Sequence, residues 1–321
     1  MFLTNSWILC SIAGVCLLGC VLYMSPRLRR RIPFAWTFRP LWTVLRGHNY
    51  VCSLEDILRG YHRAVIHFRL RTRLIQKCQL LQEELNLQLW NTPSGTFWVP
   101  RASGVSYICY ALAEQYLNTY GGSRDGVRPG NVVVDCGANI GVFARQALAR
   151  GARFILAFEP SPENVECLRR NLARAIVSGS VVVHEKGLWS HHCHLTLAVA
   201  PDNCGLNSFV SHIENALEQP SVEVITLDEV IAEMNLDRVD FIKMDIEGAE
   251  LQALAGSCMT LTRWAPSLAV EVDHTEDPVG NAEKVIQLVR SINSSYSRRS
   301  DLWVKLRDRI LYPAVILFRP A

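Results

Sequence analysis

The stretch Asn131–Pro160, NVVVDCGANIGVFARQALARGARFILAFEP, constrains this chain more than any other. Its apolar run Val132 to Val134 reads as a strand buried on both faces that ends at Asp135. Gly137, Asn139 and Gly141 follow, spaced so that the backbone can turn tightly and approach a ligand with no Cβ in the way. They lead into a helix whose apolar face is Ile140, Phe143, Ala147 and Leu148. A second apolar strand, Phe154 to Phe158, ends in Glu159, about twenty residues beyond the glycines. Strand, glycine turn, helix, strand and acid together make a nucleotide-binding βαβ unit. A carboxylate at that position can accept both hydroxyls of a ribose, so Glu159 is expected to hold one. The Gly-x-x-x-Gly spacing leaves open whether the nucleotide is a nicotinamide dinucleotide or S-adenosylmethionine.

Beyond Glu159 the alternation continues. Ser161-Pro162-Glu163 is an N-cap, a first-turn proline and a dipole-favoured acid, ahead of a buried stripe at Val165, Leu168, Leu172 and Ile176. Strands are expected at Val181 to His184, Phe241 to Met244, Leu268 to Val272 and Ala314 to Phe318, with helices at Leu227 to Met234 and Ala249 to Ala255. Strands alternating with helices specify an α/β fold, a doubly wound, mostly parallel sheet. The final strand ends close to the C-terminus.

Ahead of this unit the chain reads differently. Residues 1–130 carry 15 Lys and Arg against 6 Asp and Glu, and the remainder 18 against 24, so a basic front precedes an acidic body. Trp7 to Met24 is 18 residues without a charge, at the short end of what crosses a bilayer core of about 30 Å. Arg27, Arg29, Arg30 and Arg31 follow at once, and no Lys or Arg precedes the apolar run, which argues for an uncleaved anchor over a signal peptide. Acylation of Cys20 would tether the chain equally well. Arginines on the cytosolic side put the folded region in the cytosol, and the single sequon at Asn293-Ser294-Ser295 argues the other way. Membrane lipid is thus an expected partner and nucleic acid is not, because the basic residues flank a hydrophobic run.

Trp36 and Trp42 suit an interfacial belt or a core. Asp56 to Leu85 reads as a helix with Ile57, Tyr61, Val65, Phe68, Ile75 and Leu85 on one side and Arg59, Arg63, Arg69, Arg71, Arg73 and Lys77 on the other, suited to a membrane surface or to the mouth of a substrate site. Leu87 to Val99 alternates around Asn91-Thr92-Pro93-Ser94-Gly95 as a hairpin. A helix from Val105 to Tyr120, with Val105, Ile108, Leu112 and Tyr116 inward, stops at Gly121-Gly122. The expected division is a transmembrane anchor over 1–25, a basic helical and hairpin accessory region over 26–120, and a catalytic domain over 121–321. Eleven cysteines show no metal-ligand or disulfide spacing, and Cys136 within the glycine turn favours a reducing environment.

Five blocks then occur in one order: Asp135-Cys136-Gly137-Ala138-Asn139-Ile140-Gly141, Phe158-Glu159-Pro160-Ser161-Pro162, Ile225-Thr226-Leu227-Asp228-Glu229, Ile242-Lys243-Met244-Asp245-Ile246-Glu247-Gly248-Ala249-Glu250, and Glu271-Val272-Asp273-His274. The series resembles the FkbM family of S-adenosylmethionine-dependent methyltransferases over roughly residues 85 to 321. The resemblance implies S-adenosylmethionine as cofactor, a seven-stranded Rossmann-like sheet with an antiparallel edge, and a hydroxyl acceptor on a glycan, glycolipid or similar small molecule. It implies a cofactor site of Asp135, Gly137, Ala138, Asn139, Gly141, Glu159 and Pro160, with Asp135 near the methionine ammonium and steadying the loop through backbone N–H groups.

Ligands of such a sheet bind at the carboxyl ends of its strands, which here carry Asp135, Glu159, Glu185, Asp245 and Glu271. Methyl transfer to a hydroxyl gains from a base, and Asp245 and His274 are the catalytic candidates; otherwise Asp245 would cap the next helix and His274 would sit in a surface loop. Asp245, Glu247, Glu271 and His274 also suit a divalent metal such as Mg²⁺, although a metal-free site is the preferred reading. His191-His192-Cys193-His194 lacks the second pair that zinc needs and reads as a solvated hairpin before a strand at Leu195 to Val199. Arg298, Arg299 and Trp303 are further candidates for the acceptor pocket. Two other readings stay open: a non-catalytic nucleotide-binding interaction module, and a nicotinamide-dependent oxidoreductase.

Overall fold

A computed structural model describes residues 54–320 apart from 211, 212, 214, 217–219, 308 and 309. The apolar segment Trp7 to Met24, Trp36 and Trp42 lie outside the described residues. Among the described residues no helix is long and apolar enough to cross a membrane.

The chain enters through α1 (Leu54–Ile75), which seats His67 and Leu74 inward, about two turns apart. The helix ends at Ile75, ten residues before the sequence suggests, and Gln79–Glu83 becomes β1. The apolar spacing that continues to Leu85 is accidental; pairing with the neighbouring hairpin overrides the helix propensity of Gln-Leu-Leu-Gln-Glu. The hairpin is β2 (Leu87–Thr92) and β3 (Gly95–Pro100), turned at Pro93-Ser94 as its residues demand. Helix α2 (Gly104–Tyr116) buries Ile108, Cys109 and Leu112. Tyr116, expected inward, is half exposed because the helix ends there, and its hydroxyl meets Ser94 Oγ at 2.8 Å.

The body comprises β4 (Val132–Cys136), α3 (Val142–Ala149), β5 (Phe154–Phe158), α4 (Pro162–Asn171), α5 (Ala173–Val177), β6 (Val181–His184), β7 (Gly187–Leu188), β8 (Cys193–Thr196) and β9 (Ser221–Ile225). Then come α6 (Leu227–Glu233), β10 (Phe241–Met244), α7 (Glu250–Ala255), α8 (Cys258–Arg263), β11 (Ser267–Glu271), α9 (Pro278–Ile292), β12 (Tyr296–Arg307) and β13 (Ile310–Pro320). Seven strands form one sheet in the order β12-β13-β11-β10-β4-β5-β6. The five from β11 to β6 run parallel, and β13 pairs antiparallel with both β11 and β12. The last strand is therefore antiparallel as expected but stands one place inside the edge. The edge is β12, which the sequence does not announce: its alternation is interrupted by charged residues and by two register shifts. A small sheet, β7-β9-β8, lies apart from the main one, and β8 ends at Thr196, short of Val199.

Both faces of the sheet are covered, which is why its strands read as continuous apolar runs. Val134, Leu156, Ile242, Leu268 and Ile316 face a cluster with Val230, Leu254, Leu261 and Val285 from α6 to α9. Their neighbours Val133, Ile155, Phe241, Ala269 and Leu317 face Phe143, Ala147 and Leu168 from α3 and α4. Ile140, read as part of the α3 face, precedes that helix and packs with Val142 into a third cluster, together with Phe97, Ile108 and Leu112 of the accessory unit. The strand order reverses between β4 and β10, and the crevice outside their carboxyl ends is where this topology places ligands.

Candidate active site at the β4 and β10 strand ends

A cleft opens there, bordered by Gly137, Asn139, Glu159, Pro160 and Asp245 and walled by Tyr107 of α2. The loop after β4 reaches it through Gly137 and Asn139. Both glycines of the turn have left-handed φ, +77° at Gly137 and +87° at Gly141. The space they leave is filled by protein. A Cβ on Gly137 would lie 1.9 Å from the Asp245 carbonyl oxygen, and one on Gly141 would lie 2.8 Å from Leu168 Cδ1. The motif thus lets β4, β10 and α4 close on one another, and the loop is shaped by that closure. Ala138 and Gly141 do not border the cleft: Ala138 is buried in the core with its N–H on Phe158 O at 2.8 Å, and Gly141 caps α3.

Glu159 is buried, yet each carboxylate oxygen accepts hydrogen bonds. Oε2 takes the Asn139 N–H at 2.8 Å, and Oε1 takes the Ser161 N–H at 3.0 Å and Asn164 Nδ2 at 3.2 Å. Burial outweighs these donors and pushes its pKa up to about 7. A carboxylate has about four lone-pair positions. With three taken, Glu159 has room for one ribose hydroxyl, not the pair that the sequence suggests. Asn139 and Asn164 also donate to Cys204 O at 2.8 and 2.9 Å. These bonds tie a loop between β8 and β9 over the cleft, and Cys204 N–H donates to Ser103 Oγ at 2.8 Å. Asn207 Nδ2 reaches Ser161 Oγ at 3.0 Å.

Asp135 lies on β4 with its side chain fully buried, behind the cleft. No loop N–H reaches its carboxylate; its neighbour is Lys243 Nζ at 3.5 Å. Burial, partly offset by Lys243, pushes Asp135 up to about 6. Lys243 is the residue the sequence reading leaves without a role. It projects from β10 into the interior, donates to Gly137 O at 2.7 Å, and stands 3.4 Å from Asp245 Oδ2 and 5.3 Å from the centre of the Tyr120 ring. Burial depresses its pKa, but Asp245 and Asp135 raise it further, so the ammonium stays charged. A lysine inside the apolar run Phe-Ile-Lys-Met was the available signal.

Asp245 is no helix cap. Ala249 is the N-cap residue of α7, and the buried Glu250 carboxylate secures the turn by accepting from Ile246 N at 3.1 Å and Gly248 N at 3.3 Å. Asp245 accepts the Tyr120 hydroxyl at 2.8 Å, and the same hydroxyl lies 2.9 Å from Glu271 Oε2. Burial and Glu271 push the Asp245 carboxyl up, Lys243 and His274 pull it down, and the balance leaves it below its ordinary value. His274 is no surface loop residue either. Its Nδ1 donates to Glu247 Oε2 at 2.8 Å, and its Nε2 lies 3.4 Å from Asp245 and 3.5 Å from Glu271. Against burial, Glu247 first and then Asp245 and Glu271 raise its pKa well above that of free imidazole. A protonated imidazole has no lone pair. The carboxylates around His274 thus favour its protonated form, in which it steadies them, while Asp245 borders the cleft. Asp245, Glu271 and His274 do bring ligand atoms within 4.8 Å of one another. With Lys243 3.4 Å from Asp245, these side chains form a hydrogen-bonded charge cluster.

The remaining candidates fall elsewhere. Glu185 is exposed and pairs with Arg169. His191 and His192, in the bend before β8, and His194 on β8 are exposed, with His192 Nε2 on Glu223 at 2.8 Å. Arg298 is exposed on β12, and the side chains of Arg299 and Trp303 lie outside the described residues. All described cysteines are free thiols.

The family model of the methyltransferase FkbM domain matches residues 135–296, half of the chain. This chain belongs to the FkbM methyltransferase family. Methyltransferase sdnD of Sordaria araneosa is 31% identical over 177 residues, 46% of this chain and 64% of the relative. The 31-O-demethyl-FK506 methyltransferase FkbM of Streptomyces tacrolimicus is 31% identical over 196 residues, 52% of this chain and 74% of the relative. The 2-O-methyltransferase NoeI of Sinorhizobium fredii is 27% identical over 156 residues, 42% and 61%. The chain thus spans less than two thirds of the length of sdnD and of NoeI. Tyr107 and Tyr120, which this FkbM-family chain brings to the cleft and to Asp245, precede the matched residues.

Proposed function

We propose that this chain is an S-adenosylmethionine-dependent O-methyltransferase that methylates a hydroxyl of a glycan, glycolipid or similar small molecule, tethered to a membrane by Trp7 to Met24 with its folded region in the cytosol. The observation that carries the reading is Asp245, held ionised between Lys243 and His274 while bordering the cleft at the strand switch point. The names of two relatives, a 31-O-demethyl-FK506 methyltransferase and a 2-O-methyltransferase, support oxygen as the methylated atom.

S-adenosylmethionine, when bound, would supply an electrophilic methyl group on a sulfonium, its methyl carbon–sulfur bond breaking to release a neutral thioether. Gly137, Asn139, Glu159 and Pro160 would hold it, and the unused acceptor capacity of Glu159 fits a ribose hydroxyl. Asp135 and Lys243 support the loop from behind. Asp245 accepts the hydrogen bond of the incoming hydroxyl, orients its oxygen, and takes the proton as the new carbon–oxygen bond forms. Tyr120 and His274 fix the carboxylate, and the loop through Cys204 and Asn207 limits the entry of water. A positioned base contributes roughly 10²- to 10⁴-fold.

The test is Asp245→Asn in the full chain. S-adenosylmethionine binding by calorimetry stays within about threefold of wild type while turnover of a hydroxylated acceptor falls by roughly 10²-fold or more. Normal turnover would remove Asp245 from the chemistry, and binding of NAD in place of S-adenosylmethionine would overturn the class.

A further inference from the structure

Among the described residues, eleven large apolar side chains are exposed, and six of them fall between Ile66 and Leu85. The concentration is not accounted for by the cleft, which none of the six borders. On α1, His67 and Leu74 turn inward, and His67 Nε2 lies 3.3 Å from Tyr110 O of α2. At about 100° per residue, Phe68 and Ile75 share the outward side within roughly 20° of each other. Phe68 is 68% exposed. Arg69, Arg73 and Lys77, all exposed, flank this apolar line.

The chain then passes directly into β1, all five residues of which are exposed. Among the described residues it is an edge strand, paired only with β2 and bulged near Leu81. Edges of this kind are normally guarded by charge, proline or a covering element. Here Leu81 is 50% exposed and Leu85, in the turn that follows, 85%. Glu83 and Glu84 do not guard it, being drawn to Arg101 at 2.7 Å and Arg170 at 2.9 Å.

We propose that this surface, Phe68, Ile75, Leu80, Leu81 and Leu85 with Arg69, Arg73 and Lys77, docks against a membrane bearing anionic headgroups and holds the catalytic fold at the bilayer. The inference rests on the tether proposed for Trp7 to Met24. Apolar groups rimmed by basic ones are the complement of an anionic interface, where leucine and phenylalanine enter the headgroup boundary and arginine and lysine meet lipid phosphates. The chain on the tether side is of the same sign: no Asp or Glu occurs before Glu55, while Arg27, Arg29, Arg30, Arg31, Arg39 and Arg46 do. Only 29 residues separate Met24 from α1. A tether that short keeps the surface at high effective concentration over the bilayer, so a contact too weak to bind alone is populated.

The experiment uses the full chain reconstituted into vesicles of phosphatidylcholine alone or with phosphatidylserine. Flotation reads the tether, and amide hydrogen exchange over residues 66–85 reads the docking. The chain is expected to float with both vesicles. Its 66–85 peptides should exchange about tenfold more slowly with phosphatidylserine present, and Arg69→Glu/Arg73→Glu should remove that difference without changing flotation. Phe68→Ser/Leu85→Ser should remove it as well, and both pairs are exposed enough to leave the fold intact. Flotation with equal exchange in the two vesicles would overturn the docking and leave the tether standing. Protection already present in detergent without lipid, the mark of a second copy on this surface, would also overturn it. Absence of flotation would refute the tether and the docking together.

Discussion

Replacing Lys243 with methionine removes the ammonium that lies between Asp135 and Asp245 while keeping most of its volume. Each ion pair, at 3.5 and 3.4 Å, corresponds to about 5 kcal/mol of attraction at an effective dielectric of 20, largely offset by the cost of burying the charges. What the variant leaves behind is a fully buried Asp135 with no cation beside it, and breaking a buried pair in this way typically costs about 3–5 kcal/mol. Proton uptake sets a ceiling on the loss. Asp135 already titrates near 6 with Lys243 present. Without Lys243 its folded pKa rises further above the unfolded value, and each unit costs about 1.4 kcal/mol wherever the pH exceeds both values. A raised carboxyl penalises folding at high pH and is relieved as the pH falls. The variant should therefore lose about 3 kcal/mol near pH 8, roughly 6 to 12 °C in Tm, and distinctly less near pH 5.5. Thermal melts of the full chain at the two pH values check this. A wild-type Tm at pH 8, or a loss that does not shrink on acidification, would refute the assignment of Lys243 as the counter-ion.

Gly137→Ala should cost about 3 kcal/mol or more and abolish cofactor binding, because the new Cβ meets the Asp245 carbonyl at 1.9 Å on a backbone at φ +77°; normal melting would show that β4 and β10 close differently. Glu159→Ala strands three donors, so S-adenosylmethionine affinity measured by calorimetry should fall at least about tenfold, and unchanged affinity would dismiss the residue from the cofactor site. Wild-type stability should decline from about pH 5.5 to about pH 8, since Asp135, Glu159, Glu247 and Glu250 have folded values raised to about 6 or 7 and the raised His274 loses its contribution as it deprotonates. Asp245, shifted downwards, opposes this trend only at lower pH, and a Tm that rises towards pH 8 would contradict the burial of this cluster.

The parallel strands were legible because burial on both faces leaves a composition signal: Phe154–Phe158, Val181–His184 and Phe241–Met244 have the limits that their apolar runs suggest. Elements whose formation depends on a distant partner were not. β1 carries a helix-like sequence and becomes a strand only by pairing with β2, while β12 follows from its pairing with β13. The site divides in the same way. Asp245 and Glu159 stand at strand ends, where sequence order and topology suffice to place an acid near a cleft. Gly137 borders the cleft as its place in the turn suggests, but no one-dimensional pattern reveals that its missing Cβ also makes room for the Asp245 carbonyl. For His274 the sequence leaves a catalytic residue and a surface loop residue equally open, because its four carboxylate neighbours, Asp245, Glu247, Glu271 and Asp273, converge only in three dimensions.

Tyr120 is the sharpest case, and it bears on how the molecule is divided. It ends an apolar segment before Gly121-Gly122 and carries no motif, yet its ring is buried against Phe143 and its hydroxyl is the direct donor to Asp245. The hydroxyl has one proton and faces two acid side chains, so it links the ends of β10 and β11, which otherwise carry like charges towards each other. Further along the same accessory segment, Tyr107 walls the cleft and Ser103 anchors the Cys204 loop. Asn171 of α4 completes the connection by clasping β3, accepting from Trp98 N at 2.7 Å and donating to Trp98 O at 2.9 Å. A division between 120 and 121 passes through this hydrogen-bonded set. The residues ahead of the family match therefore form one wall of the cleft and hold the Asp245 carboxylate in place, so a change at Tyr107 or Tyr120 alters the cleft without touching the loop after β4.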